Sequence, residues 1–224
     1  MSKKALLIVD VQNDFCPGGA LAVAGGNAVV EPLNTLAGFF DEKEWPVLFS
    51  RDWHPAETSH FKALGGPWPP HCVRGTEGAR FHQDLLVLTG DDGSDVIVSK
   101  AMGKAEDGYS PLCPNAYADP LLITEGLGPD DDAAEAMASL KNVVDHLREE
   151  GVTELFIGGL ATDYCVKAGV LDALRLPFIT KVHVLTDAIG AVDVNPGDGD
   201  RALAEMAAAG AVLITTEDVM AQEG

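Results

Sequence analysis

Four side chains with reactive groups follow short apolar segments of the chain: Asp10, Asp52, Lys100 and Cys165. A thiol can attack a carbonyl carbon when a base takes its proton and a cation stabilises the thiolate. Cys165 follows a turn-like segment in which Thr162 or Asp163 could cap a new helix, and a helix N-terminus lowers the pKa of a thiol. The free N–H groups of such a turn also suit an oxyanion hole. We therefore expect a nucleophilic cysteine, although a buried core thiol is the alternative reading of any lone cysteine.

A second set of residues has the chemistry of a metal site. In an extended chain Asp52 and His54 point to the same side, and His60 and His71 follow in the same irregular segment. One carboxylate with two or three imidazoles suits Zn, Fe or Mn, and the absence of thiolate ligands argues against a closed structural zinc site. A D-x-H pattern alone is weak, because loop histidines are usually solvated or hydrogen-bonded.

The elements that must position these groups alternate along the chain. Short apolar runs predict six strands, at 5–9, 47–50, 96–99, 155–160, 182–186 and 212–215. Helical spacing begins after Asn27, which is the expected cap of the first helix, and recurs around 143–147 and 166–174. Gly151 and Gly210 are expected just beyond the ends of two helices. We expect an α/β three-layer sandwich with a central, mainly parallel six-stranded sheet and helices on both faces. The reactive groups would then meet at the carboxyl edge of the sheet.

Composition limits the class of protein. The chain has 224 residues, which predicts a single domain over 1–224, and its 35 acidic against 15 basic residues give a formal charge of -20. Such a surface disfavours nucleic acid and anionic membranes as partners. Four scattered cysteines, no signal-peptide pattern and no long apolar stretch lead us to expect free thiols and a cytoplasmic protein.

Two segments lack periodicity. The segment at about 52–78 is rich in Pro, Gly, His and Trp and contains the candidate metal ligands, so it is interpreted as a metal-site loop. The segment at about 111–140 contains prolines and the acidic cluster at 130–132, and is interpreted as an exposed insertion.

Four motifs, in this order, make the sequence resemble the nicotinamidase branch of the isochorismatase-like cysteine hydrolases. They are VDVQNDF at 9–15 followed by PGGAL, DWHP at 52–55, WPPHCV at 68–73 and GLATDYCV at 159–166. Three features depart from the family pattern, the first being Ile189-Gly190 in place of the Arg-Gly found in relatives. Ala101 stands where a glycine usually follows the lysine, and the segment at 111–140 is longer than usual.

The resemblance implies a role for each candidate residue. The catalytic triad would be Asp10, Lys100 and Cys165, and the N–H groups of Ala161 and Cys165 would form the oxyanion hole, next to a cis peptide between Ala161 and Thr162. One divalent ion per chain, with Zn expected and Fe or Mn as alternatives, would be held by Asp52, His54, His60 and His71. The substrate pocket would be lined by Phe15, Trp68, Tyr109 and Ala161.

The resemblance also implies an activity. It is hydrolysis of nicotinamide to nicotinate and ammonia through a thioester, in NAD salvage, with pyrazinamide as a second substrate. The sequence leaves the oligomeric state open, with a homo-oligomer as the candidate assembly. Two alternatives stay open: a hydrolase of another amide, carbamoyl or vinyl-ether substrate on the same fold, and a non-catalytic ligand-binding protein. Metal content combined with ammonia release separates them.

Overall fold

All six apolar runs form strands in the computed structural model, which describes residues 3–87, 96–105, 108–119 and 123–224. The eight strands are β1 (Lys3–Val9), β2 (Val47–Asp52), β3 (Val96–Lys100), β4 (Tyr117–Asp119), β5 (Lys141–Asn142), β6 (Val152–Leu160), β7 (Lys181–Gly190) and β8 (Val212–Ile214). They form one sheet in the order β5-β4-β3-β2-β1-β6-β7-β8.

The sheet has two more strands than predicted. β4 pairs antiparallel with β3, and β5 pairs antiparallel with β4, whereas every other neighbouring pair is parallel. The two additional strands have three and two residues, which is too short for an apolar or alternating pattern to be visible in the sequence. The class of fold is as expected, and the prediction of six strands is wrong by these two short strands at one side of the sheet.

In the part of the chain that the structure describes, six α-helices cover the sheet: α1 (Val30–Glu42), α2 (Ala134–Ser139), α3 (Val143–Glu149), α4 (Lys167–Ala173), α5 (Asp198–Ala208) and α6 (Thr216–Glu223). Alternate residues of β1 pack into two separate cores, because successive side chains of a strand point to opposite faces. Leu6 and Ile8 pack in the core that includes α1, and Leu7 and Val9 pack in the core that includes α3, α4 and α5. The three-layer arrangement follows from this division.

The ends of the helices agree with the sequence in part. Gly151 and Gly210 both have positive φ, at +71° and +113°, just beyond α3 and α5, as helix ends favour. The expectation that Asn27 caps the first helix is wrong. It lies inside a 3₁₀ turn, Gly26–Val29, that precedes α1, and the residue before that turn is Gly25, with φ +69°.

The segment at 111–140 is only partly exposed. It contributes β4 and α2, and the side chains of Asp119 and Thr124 are fully buried, whereas the cluster at 130–132 is exposed. The reason is that Asp119 ends β4, which extends the main sheet, and that Thr124 bonds Asp119 and Arg51. Within the described residues no helix is both apolar and long enough to cross a bilayer.

A buried histidine on β7 has a consequence for stability. The His183 ring stacks on Phe156 with the centroids 4.1 Å apart, and burial lowers its pKa to about 4. In the unfolded chain the same imidazole takes up a proton near pH 6.5. The stabilising contribution of neutral His183 is therefore complete above that pH and is lost as the pH falls toward 4.

We expect His183→Phe to flatten this dependence. Between pH 7.5 and 5 the wild type should lose about 1–2 kcal/mol more of its free energy of unfolding than the variant, measured by urea unfolding with chelator present. Phenylalanine keeps the stacking on Phe156, and the other titrating groups are common to both proteins. Parallel pH profiles would contradict the assignment.

Candidate active site

The ends of four neighbouring strands bring the predicted catalytic groups together. Asp10 follows β1, Lys100 ends β3, and Cys165 lies in the turn after β6. The Lys100 ammonium lies 2.9 Å from Asp10 Oδ2 and 3.7 Å from Cys165 Sγ, and it also forms an ion pair with Asp52 at the end of β2. It donates a further hydrogen bond to the carbonyl of Gly108, at 2.8 Å. Lys100 therefore lies between the thiol and two carboxylates.

The backbone at Asp10 turns sharply as β1 ends. Its φ is +50°, in the left-handed region that aspartate tolerates better than most residues. The Ser50 hydroxyl donates to Asp10 Oδ1 at 2.7 Å, and the Asp10 N–H donates to the Ser50 carbonyl at 3.1 Å. Two bonds from β2 thus fix the carboxylate beneath Cys165.

Charge and burial set the proton affinities at this centre. Burial raises the pKa of Asp10 above its ordinary value, although the Lys100 ammonium opposes the rise. Burial would also raise the pKa of Asp52, but Lys100 and His54 hold it well below the ordinary range. For Lys100 itself, burial favours the neutral amine, yet the two carboxylates hold its pKa well above the ordinary value. Lys100 and Asp52 are therefore charged, and Asp10 is the more easily protonated carboxylate.

The pKa of the Cys165 thiol differs from the expectation. Burial raises the pKa of Cys165 well above its ordinary value, and the nearby Asp10 and Asp52 add to the rise against the effect of Lys100. The predicted lowering by a helix N-terminus is wrong for this centre, because desolvation outweighs it. At rest the thiol keeps its proton, and a base must take that proton during attack.

The turn that presents Cys165 is a single π-helical turn, Thr162–Val166, ahead of α4. Neither candidate cap bonds the turn. Asp163 instead accepts the N–H groups of Val192 and Asp193 at 2.9 and 3.0 Å, which ties the loop after β7 to the turn. The cis peptide lies between Leu160 and Ala161, one bond earlier than expected, at the point where β6 ends.

The predicted metal ligands also converge. His54, His60 and His71 each offer a ring nitrogen within 4.8 Å of the other two. Asp52 Oδ2 lies 3.7 Å from His54 Nε2 and 3.9 Å from His71 Nε2. His60 is thus brought into the same cluster as the other three residues.

The donor set fits a divalent cation. His54 is fully buried, and neither ring nitrogen has a hydrogen-bond partner among the residues that the structure describes. The carbonyl of Pro69 accepts a bond of 2.8 Å from His71 Nδ1, which leaves Nε2 as a lone-pair donor facing the cluster. Burial lowers the pKa of His60 to about 4 and also lowers the pKa of His71, so both rings are neutral at pH 7. Neutral imidazoles beside an ionised carboxylate are suitable ligands.

A narrow cleft opens above the thiol and the histidines. It has about 370 Å³ of empty space, and all four predicted substrate residues line it: Phe15, Trp68, Tyr109 and Ala161. The Trp68 indole N–H donates to the Tyr109 hydroxyl at 2.8 Å, which joins two walls of the cleft. Asp52, His60, His71 and Cys165 form the rest of the reactive lining.

Several site residues were missed by sequence reasoning. Leu21, Tyr164 and Val192 also line the cleft. Gln12 accepts the Asp52 N–H and donates to the Asp52 carbonyl, both at 2.8 Å, so it fixes that residue from two sides. Gln12 lies within the first quoted motif, and its place two residues after Asp10 was the available signal.

The departure at Ala101 also has a structural correlate. Its φ is +56°, in the region that favours glycine, directly after Lys100. The alanine adopts the backbone geometry that a glycine would take there, so the lysine keeps its place in the site.

Comparison with known proteins places this arrangement among hydrolases. The nicotinamidase of Escherichia coli (strain K12) is 36% identical over 233 residues, which cover 97% of each chain. The solved structure of the Pyrococcus horikoshii pyrazinamidase in complex with zinc is 35% identical, with a TM-score of 0.74 over 95% of this chain and 99% of that one. A structure from L. infantum in complex with nicotinate is 29% identical, with a TM-score of 0.75 over 96% and 94% of the two chains. The Isochorismatase domain matches residues 4–105 and 136–218. Because that match covers more than half of the 224 residues, this chain belongs to the isochorismatase family.

Proposed function

We propose that the protein hydrolyses nicotinamide to nicotinate and ammonia, with Cys165 as the nucleophile. The observation that carries the proposal is one cleft lined by Cys165, Asp52, His60 and His71, with Lys100 and Asp10 next to the thiol and His54 completing the histidine cluster. A thiol beside a base suits acyl transfer, and a metal-ligand set a few ångströms away suits recognition of a ring nitrogen. Pyrazinamide, which also carries a carboxamide on a nitrogen ring, is proposed as a second substrate.

Asp52, His54, His60 and His71 would hold one divalent ion. Bound there, the ion would supply a Lewis acid that orients the substrate ring through its nitrogen. Zinc is the proposed metal because the donor set suits it and the similar pyrazinamidase was solved with zinc. Iron and manganese are the alternatives.

Acylation begins when Asp10 takes the thiol proton. Asp10 is suited to this role because burial raises its pKa and so increases its proton affinity. The Lys100 ammonium, 3.7 Å from Sγ, stabilises the thiolate as sulfur attacks the amide carbon. The N–H groups of Ala161 and Cys165 would receive the oxyanion.

Collapse of the tetrahedral adduct breaks the carbon–nitrogen bond. Asp10 returns its proton to the departing nitrogen, which leaves as ammonia, and the acyl group remains on sulfur as a thioester. Asp10 then takes a proton from water as the water oxygen attacks the thioester carbon. The thiol is reformed with that proton, and the carboxylic acid gives its remaining proton to solvent and leaves as nicotinate.

One experiment tests the proposal against its alternatives. Purified protein is analysed for bound metal and assayed for ammonia release from nicotinamide, pyrazinamide and a carbamoyl amide. We expect about one metal ion per chain, turnover of the first two amides, and loss of that turnover on metal removal with recovery on adding Zn²⁺. Metal without turnover would favour a binding protein, and metal-independent turnover of the carbamoyl amide would favour the other hydrolase.

Other predictions rest on the sequence and its resemblance to the family. They are a single domain, a role in NAD salvage, a cytoplasmic location, assembly into a homo-oligomer, and the absence of nucleic-acid and membrane partners. They stay predictions.

A further inference from the structure

The segment at 123–131 lies outside the two stretches matched by the Isochorismatase domain, yet it bonds both neighbours of Asp52. Arg51 donates to the hydroxyl of Thr124 at 2.8 Å, and the indole N–H of Trp53 donates to the carbonyl of Thr124 at 3.0 Å. The Arg51 guanidinium also stacks on the Trp53 ring, 3.7 Å from its centroid. Because side chains alternate along a strand, these contacts lie on the face opposite to the Asp52 carboxylate.

Thr124 is itself held by a buried carboxylate. Asp119 Oδ2 accepts both the Thr124 N–H, at 2.7 Å, and the Thr124 hydroxyl, at 2.6 Å. With its proton committed to Asp119, the hydroxyl is an acceptor for Arg51 and for the hydroxyl of Ser99, 3.1 Å away. Ser99 in turn accepts from Arg51 Nε at 3.0 Å. The donors and acceptors of the two hydroxyls are therefore all matched within a buried network.

This network holds two adjacent strands in register directly behind the site. Arg51 is paired with Ser99 across β2 and β3, and the next pair is Asp52 with Lys100. A shift in the first pair must therefore move the second pair, which carries the metal ligand and the lysine.

The same segment also contacts the chain after two other ligands. The carbonyl of Pro129 accepts the N–H of Ala56, at 2.9 Å, two residues beyond His54. The carbonyl of Gly128 accepts Arg74 Nε, at 2.8 Å, three residues beyond His71. The chain after His54 and the chain after His71 are thus both hydrogen-bonded to one short segment.

We propose that Asp119 and the segment 123–131 position the metal ligands, and that Thr124 is the principal positioning residue. It touches neither metal nor substrate, and it acts by fixing the strand ends that carry Asp52 and Lys100. The inference rests on the proposed metal site, and it assigns a role to a part of the chain that the family match leaves out.

Cobalt affinity tests the inference without reference to turnover. Apo-protein is titrated with Co²⁺ against a chromophoric chelator, and the visible spectrum of bound Co²⁺ reports the ligand geometry. We expect Thr124→Val to weaken Co²⁺ binding about tenfold and to alter the spectrum, as losses of residues behind metal ligands do. Thr124→Ser, which keeps the hydroxyl, should restore both.

A matched control separates positioning from general destabilisation. Thr216 has the same local chemistry at the far edge of the sheet: its N–H and hydroxyl both bond the Asp187 carboxylate, at 2.9 and 2.6 Å. Thr216→Val should lower thermal stability and leave Co²⁺ affinity and spectrum unchanged. If Thr124→Val does not fold, Trp53→Phe serves instead, since it removes one hydrogen bond of the network and keeps an aromatic ring at that position. A severalfold weaker Co²⁺ affinity is then expected.

The outcomes are distinct. Wild-type Co²⁺ affinity in a folded Thr124→Val, or an equal loss in Thr216→Val, would overturn the positioning role and leave the proposed function intact. A wild-type protein that binds no Co²⁺ or Zn²⁺ would refute the metal site, and the inference would fall with it.

Discussion

Replacement of Cys165 by alanine is expected to lower ammonia release from nicotinamide by at least about 10⁴-fold. In the proposed mechanism the thiol forms the acyl bond, and Asp10 and Lys100 serve the formation and breakdown of that bond, so their removal together with Cys165 should add little further loss. Metal content should stay at the wild-type level, because Cys165 is outside the set of residues proposed to hold the ion. The measurement is steady-state ammonia release beside elemental analysis of the same sample.

A second buried cysteine supplies the control. Cys16 is 3% exposed, and burial raises its pKa to about 11, but it has no place among the catalytic groups. Cys16→Ala should keep activity within severalfold of wild type per folded molecule. Turnover near the wild-type rate in Cys165→Ala would show that the nucleophile is elsewhere.

Replacement of Lys100 by methionine is expected to lower the free energy of unfolding by about 3–5 kcal/mol, in addition to abolishing turnover. Lys100 and Asp10 are fully buried and Asp52 is 4% exposed, so the substitution leaves two carboxylates close together without a counter-ion. Urea unfolding with chelator present measures the loss, since a bound cation would otherwise replace part of the missing charge.

Two further variants set limits on the expected loss of stability. Lys3→Met removes an ion pair with Glu150 in which both side chains are about one-third exposed, and it should cost under about 1 kcal/mol. Adding Asp10→Asn to Lys100→Met should recover more than about 1 kcal/mol, because one of the two uncompensated charges is gone. A Lys100→Met protein as stable as wild type would mean that the centre neutralises itself by protonation.

The sequence was sufficient for the features with strong local signals. The six apolar runs located the main strands, and the reactive residues at four of their ends predicted a shared site, because parallel strands end at one edge. His60 was a candidate because it follows Asp52 and His54 in the same irregular segment, but bringing Trp68 into that site required the resemblance to a family, since nothing local in an irregular loop indicates where a side chain points.

The rest depended on long-range contacts. β4 is a strand only because β3 offers it an edge, and Thr124 is buried only because Arg51 and Asp119 surround it. Asp163 looks like a helix cap in the sequence, but its partners come from the loop after β7. The pKa of Cys165 was mispredicted for a similar reason, because burial by distant segments outweighs the local effect of the turn.

The meeting of four strand ends has a consequence for how the chain acquires activity. Lys100 is 48 residues from Asp52 and 65 residues from Cys165 along the chain, so each contact closes a long loop. In an incompletely folded chain the cysteine is present, but its base and its lysine do not lie next to it. Activity is therefore expected only once β6 has paired with β1, a contact that itself closes a long loop. Recovery of ammonia release during refolding would thus report completion of the central sheet, and an incompletely folded chain would release no ammonia although it carries the thiol.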